Sequence, residues 1–172
     1  MKTIPEKLIN YSVYLNGAQY LGAADVTLPT IESLTETFSG AGIAGEVDSP
    51  TLGHYASMTV SMTWRTLTKE SMLLMAPESH LIDFRMSQQV YNTGNSSLGS
   101  SGARVTIKAM PKSGELGTLN VGQTTGTTNE LEVTYIKVVS EGLTIIEIDK
   151  FAFKAVINGK DYLAEVRKQL GV

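Results

Sequence analysis

The chain has 172 residues, with 14 Lys and Arg, 17 Asp and Glu and no cysteine, for a net charge of −3. That length supports one domain burying roughly 70% of the surface exposed by the unfolded chain, and the missing thiols exclude disulfides and thiolate metal sites. No stretch approaches the roughly 20 apolar residues of a membrane span, and the opening MKTIPEKLINYSV lacks the apolar run of a signal peptide, so the expectation is a soluble protein synthesised in the cytoplasm.

The charge is uneven. Residues 1–70 hold 7 acids and 4 bases, whereas residues 71–172 hold 10 of each, so the whole imbalance lies in the first part. Lys and Arg nowhere cluster with aromatic residues, which excludes a surface built to grip nucleic-acid phosphates.

In chain order, Tyr11 to Leu15 and Gln19 to Leu28 read as strands joined by an Asn16-Gly17 turn, with Pro29 closing the second. Asn-Gly tolerates the positive φ that a tight hairpin turn requires. From Thr30 to Phe38, Ile31, Leu34 and Phe38 have helical spacing, but Thr and Ser interrupt them, leaving a short helix and a strand both open. Ser39 to Tyr55, SGAGIAGEVDSPTLGHY, reads as a long flexible arm. Ser57 to Trp64 alternates Met58, Val60, Met62 and Trp64 with Thr59, Ser61 and Thr63, which predicts a strand with one buried and one hydroxylated face.

Thr68 to Ala76 predicts a short helix capped by Thr68 and stopped before Pro77; its Met72 and Met75 read as core packing. Leu81 to Tyr91 returns to the strand period, Asn92 to Gly102 is a flexible loop by composition, and strands follow at Ala103 to Met110 and Leu116 to Val121. A second polar loop, Gly122 to Asn129, leads to strands at Leu131 to Val139 and Leu143 to Ile157. After an Asn158-Gly159 turn, Asp161 caps a helix over 161–170 with Leu163, Val166 and Leu170 on one face, Lys168 in its last turn and Gly171 just beyond. There is no internal repeat and no linker. The expected fold is a single domain over 1–172, mainly β: an antiparallel sandwich or barrel-like body with one or two short flanking helices and a long extended loop.

Gly40, Gly42 and Gly45 spell G-x-G-x-x-G, the spacing that cradles a dinucleotide where a strand meets a helix. The context excludes that role. A polar run precedes the glycines, two acids stand where pyrophosphate would lie, and Pro50 falls inside the would-be helix. His54 and His80 have no paired-ligand spacing and read as surface or packing residues. Glu130 and Glu132 share a strand face and read as a solvated edge that resists edge-to-edge pairing. No catalytic, cofactor-binding or metal-binding residue is expected. What remains is an arm with Ile43, Val47 and Leu52 among acids, suited to ordering against a neighbouring chain.

Two blocks carry a family resemblance: Thr35 to Thr66, TETFSGAGIAGEVDSPTLGHYASMTVSMTWRT, and Val156 to Gly171, VINGKDYLAEVRKQLG. They closely resemble the FII-type major tail tube proteins of contractile-tailed bacteriophages, and the similarity extends over essentially the full length. The resemblance implies a β-sandwich with a flanking helix and hexameric rings that stack into a hollow tube inside a contractile sheath. It also implies that sheath, tape measure, baseplate and tail terminator proteins are partners, and that DNA passes through the lumen of the virion tail without specific binding. Tubes of phage-derived R-type bacteriocins and type VI-like secretion particles share the architecture without conducting a genome.

Within that frame, Gly40, Gly42, Ile43, Gly45, Glu46, Val47, Asp48 and Leu52 are expected to contact other subunits, chiefly between successive rings. A tube that conducts DNA needs a neutral or acidic lining, because a basic one would hold phosphates. The candidates for the lumen are Thr59, Ser61 and Thr63, or the Ser87 and Gln89 side of the following strand.

Overall fold

The computed structural model describes residues 2–22 and 25–172. In chain order its elements are β1 (Thr3–Leu15), β2 (Gln19–Tyr20), β3 (Asp25–Thr27), β4 (Ser33–Phe38), β5 (Val47–Tyr55), β6 (Thr59–Trp64), α1 (Lys69–Leu73), β7 (His80–Asn92), β8 (Ser97–Glu115), β9 (Thr127–Ser140), β10 (Leu143–Asp149), β11 (Lys154–Ile157), β12 (Lys160–Asp161) and α2 (Ala164–Leu170). Every strand pairing is antiparallel. The mainly β class with two short helices is as the pattern predicts.

A ten-stranded sheet runs β12-β11-β10-β9-β8-β7-β1-β2, with β6 and β3 branching from β9. The branch arises on one edge of β9: Thr127–Glu132 pairs with β6, and Tyr135–Ser140 pairs with β10. Opposite that edge, β8 pairs with β9 almost throughout, with register shifts at Lys108/Ala109 and Pro111/Ser113. Such bulges bend a strand and increase its twist, so one hairpin serves two differently directed parts of the sheet. The sheet curls over a core of Val13, Leu15, Val60, Met62, Trp64, Ile82, Phe84, Ile107, Leu131 and Ile148, among others. The expected alternation of β6 holds: Met58, Val60, Met62 and Trp64 are buried and the intervening hydroxyl residues face outward. Trp64 Nε1 donates to Asn129 Oδ1 at 2.8 Å, giving the buried indole its polar partner.

Five expectations change. Ser97 to Gly102, expected in a loop, is the first part of β8, because β7 lies alongside and offers a ladder from Asn92↔Ser97 onward. Leu116 to Val121, expected as a strand, is irregular, and the second polar loop ends earlier, at the start of β9. The Leu143 to Ile157 run breaks into β10 and β11 around a turn where Asp149 Oδ1 accepts the Phe151 and Ala152 amides. The expected Gln19 to Leu28 strand crosses residues 23 and 24, which lie outside the described residues; on either side it is β2 and β3.

Thr68 caps α1, its Oγ1 accepting from Ser71 N at 3.1 Å while Ser71 Oγ accepts from Thr68 N at 3.2 Å. The helix closes at Leu73, short of the expected Ala76. Asp161 is not the cap of α2; Leu163 holds that position, and Asp161 Oδ1 accepts from Leu163 N while Oδ2 pairs with Arg167 at 2.6 Å. Gly171 ends the helix in the left-handed region, as expected.

On the outer face of β7, Asp83 is buried beneath two arginines. Arg104 Nε donates to it at 3.1 Å and Thr106 Oγ1 at 2.6 Å, while Arg85 lies 4.1 Å over the Tyr14 ring and donates to Gly17 O. Burial pushes the Asp83 carboxyl up, but the hydrogen bonds from Arg104 and Thr106 and the charges of Arg104 and Arg85 outweigh it and hold it below the usual aspartate range. A carboxyl that ionises more readily folded than unfolded contributes stability that is present above about pH 4, the unfolded value, and is lost as pH falls through the folded one. Asp83→Asn is therefore expected to cost about 2 kcal/mol at pH 7 and to flatten the fall in melting temperature between pH 5 and pH 3. Equal melting curves for variant and parent at both ends of that range would contradict it.

Candidate assembly interface

Ser39 to Tyr55 is not a flexible arm. Its second half is β5, paired with β4 as a two-stranded ribbon separate from the main sheet, in the register Phe38↔Val47, Thr37↔Asp48, Glu36↔Ser49 and Thr35↔Pro50. Thr35 and Thr37 favour extended backbone, and Pro50 is tolerated because each strand of a two-stranded ribbon has a free edge. The turn between the strands carries Gly42 at φ 91° and Gly45 at φ 134°, conformations that L side chains rarely adopt. The three glycines thus link antiparallel strands rather than a strand and a helix, which removes the geometry of a dinucleotide cradle.

The ribbon stands free of its own subunit. All of β4 is exposed, and Leu34, Phe38, Ile43, Val47 and Leu52 remain 37–56% exposed. Phe38 and Val47 face each other across the ribbon, and Leu34 shares their face by strand period. Thr37 and Asp48, joined by a hydroxyl–carboxylate hydrogen bond, lie on the other. An isolated two-stranded ribbon is marginal in water, so its apolar face calls for a cover.

The root, by contrast, is fastened. Gly53, at φ 69°, lies so close to Leu163 that a Cβ would fall 2.5 Å from its methyl groups. Ala56 N donates to Glu32 O at 2.9 Å, and Lys150 Nζ donates to Ala56 O at 2.8 Å. Glu132 then accepts from Ser57 Oγ at 2.6 Å and Met58 N at 3.3 Å, with Lys150 Nζ 3.6 Å away. The expectation of a solvated edge at Glu130 and Glu132 is therefore wrong: β9 is paired on both sides, Glu132 clamps the ribbon root, and Glu130 accepts from Ser113. His80 is buried with a ring nitrogen 3.1 Å from Ala76 O, and His54 is exposed on the ribbon.

The two groups of lumen candidates lie on outward faces but are not brought together. Thr59, Ser61 and Thr63 stand opposite Glu132, Glu130 and Thr128 of β9, forming a face of hydroxyls and carboxylates that Lys112 joins, its Nζ donating to Thr59 Oγ1 at 3.4 Å. Ser87 and Gln89 lie where β7 runs between Asn10 and Lys7 of β1 and Gly102 and Ser100 of β8. There β1, β7 and β8 project beyond the core as a three-stranded blade. The outer edge of β1 is engaged by β2 and Leu21 from Val13 to Leu15, and β8 is engaged from Gly102, whose carbonyl accepts from Glu141 N at 3.2 Å, so among the described residues both edges of the blade are open over Thr3–Asn10 and Ser97–Ser101. Ile4, Leu8, Ile9 and Leu98 are exposed on them. Sequence reasoning missed this surface because serine and glycine dominate its β8 side. Inside the sheet, where β9 pairs with β10, burial and then the neighbouring Glu147 push the Tyr135 hydroxyl up to about 12, and that hydroxyl donates to Glu147 at 3.1 Å.

Gly53→Val adds a side chain in a left-handed conformation against Leu163, a strain of about 1–3 kcal/mol. Amides of Leu52 to Ala56 are expected to exchange at least tenfold faster in the variant while those of β6 and β8 keep their protection. Unchanged exchange at the root would show that Gly53 and Leu163 do not fasten the ribbon.

The chain matches the family model described as phage tail tube protein FII over residues 5–171. It is 27% identical over 176 residues to the tail tube protein of Escherichia phage P2, covering 98% of this chain and 99% of that protein. It is 26% identical over 159 residues to the major tail tube protein of Serratia phage KSP20, covering 92% of this chain and 91% of that one. Among solved structures, its fold is similar to a chain of the extracellular contractile injection system PVC, sheath/tube terminator in the extended state, with a TM-score of 0.56 at 12% identity over 78% of this chain and 96% of that one. A chain of the PVC sheath-tube complex in the extended state gives 0.54 at 14% identity over 80% and 91%. With its model matched from Pro5 to Gly171, the chain belongs to the phage tail tube protein FII family.

Proposed function

We propose that this chain is a structural subunit that forms hexameric rings, and that these rings stack into the inner tube of a contractile phage tail through which DNA passes. The whole chain, 1–172, acts as one tube domain. Its partners are other copies of itself along the tube, the sheath around it, the tape measure protein within it, and the baseplate and terminator at its ends.

The observation that carries this reading is the pair of open edges on one blade, joined with the family. An open edge is a template for further pairing, and two different edges on one chain satisfy each other head to tail, a heterologous contact that closes into a ring when the rotation permits. Pairing Thr3–Asn10 of one copy with Ser97–Ser101 of the next removes both free edges. The ribbon is the natural contact between rings, through Gly40, Gly42, Ile43, Gly45, Glu46, Val47, Asp48 and Leu52. The lining comes from Thr59, Ser61 and Thr63, where Glu130 and Glu132 outnumber the one neighbouring cation, Lys112, or from Ser87 and Gln89, with Lys7 opposite Gln89; neither face gathers the cluster of cations that would release phosphate counterions and retain DNA.

Deleting Gly42 to Asp48 is expected to leave a folded, soluble subunit with the parent's circular dichroism that forms no tubes under the electron microscope. Tubes of normal length from the deletion variant would refute the role of the ribbon.

A further inference from the structure

The sequence from Leu8 to Trp64 contains no Lys or Arg but five acids, Asp25, Glu32, Glu36, Glu46 and Asp48. Three of these, Glu36, Glu46 and Asp48, lie on the ribbon and are exposed, and Glu32 stands just before its first strand. The opposite sign gathers at the other end of the chain. From Lys150 to Val172 there are five bases against two acids, Asp161 and Glu165. β11, β12 and α2 form one connected module: Tyr162 N donates to Ala155 O at 2.9 Å, and Arg167 Nη1 donates to Phe153 O at 2.7 Å.

Lys150, Lys154 and Arg167 are held in ion pairs within the subunit at 2.6–3.6 Å. Lys160 and Lys168 differ. Lys160 Nζ lies 4.9 Å over the Tyr162 ring, and Lys168 reaches only 3.9 Å from Glu165 with both side chains well exposed. Beside them Phe153, Tyr162 and Leu170 are 42–60% exposed, and α2 buries none of its residues. The module therefore offers lysines interspersed with uncovered apolar groups, the complement of a ribbon that offers carboxylates beside Phe38 and Val47.

From these observations we propose that the acidic ribbon of one copy docks on the basic, aromatic C-terminal module of another, which names the acceptor for the ribbon contact and rests on the reading of that ribbon as an assembly arm. The ribbon reaches about 27 Å from Tyr55 to Val47 at the strand rise of roughly 3.4 Å per residue. Its root is seated on Leu163 of its own module. Each copy thus holds the root of its own ribbon and receives the tip of another on the same part of the fold. Such a contact repeats itself without closing, as stacking requires. Charge complementarity sets the register of the docked pair and speeds its formation, while the apolar groups supply the buried area.

Two variants test it: a ribbon reversal, Glu36→Lys, Glu46→Lys and Asp48→Lys, and a module reversal, Lys160→Glu and Lys168→Glu. Each is first shown to keep the parent's circular dichroism and melting temperature. Alone, each is expected to raise the protein concentration needed for tubes at least tenfold. Mixed in equal amounts they are expected to form tubes again, because the basic ribbon of one meets the acidic module of the other and the two unaltered halves also match. Failure of the mixture, with the ribbon reversal alone also inactive, would overturn the acceptor and leave the ribbon as an assembly arm. Normal tubes from the ribbon reversal alone would overturn both.

Discussion

The far edge of β9 is divided between two partners, and the rest of the molecule follows from how that division is managed. β6 takes Thr127–Glu132 and β10 takes Tyr135–Ser140, leaving a fork whose backbone groups still need partners. Val133 N donates to Met58 O at 2.7 Å and Lys150 N to Thr134 O at 3.1 Å, so the two diverging segments fill the gap. The Glu132 carboxylate then spans it, holding Ser57 and Met58 on one side and Lys150 on the other. Because these backbone groups are paired, the sheet can curl over its core where β6 and β10 diverge.

The same fork explains why an exposed ribbon is compatible with a well-ordered subunit. Ser57 and Met58 are the residues through which the ribbon returns to the body, and they are the ones that Glu132 grips. Gly53 and Leu163 add an apolar contact that only a glycine permits. A ribbon fastened at its root and uncovered along its length is preorganised, so docking costs less conformational entropy than ordering a flexible arm would. Its acids, with no cation between Lys7 and Arg65, set it apart electrostatically from the C-terminal module on which its root rests.

Much of this was legible in the residues. The alternation from Met58 to Trp64, the Asn-Gly turns, Thr68 as a cap and Gly171 as a stop act locally, and the structure keeps each of them. The acids and Pro50 beside the glycines were enough to rule out a dinucleotide cradle. What could not be read depended on partners distant in sequence. Ser97 to Gly102 is strand because β7 lies beside it, whereas Leu116 to Val121 has strand-like residues and no partner, its loop being held instead by Thr118 N on Thr125 O and Thr125 N on Arg65 O. Glu132 reads as solvated on its own strand, and only the convergence of Ser57 and Lys150 makes it a clamp. The ribbon reads in the sequence as an arm of interspersed glycines and apolar groups but not as a pair of strands, since its pairing joins Phe38 to Val47 across a glycine-rich turn.

The account stands on one claim, that the open blade edges and the uncovered ribbon are surfaces for copies of the same chain. Negative-stain electron microscopy of the purified protein over a rising concentration series tests it most directly. Six-fold rings, and with increasing concentration stacks of rings sharing a central lumen, are the predicted result. A particle that stays monomeric at every concentration, with no ring or tube in any field, would contradict the account.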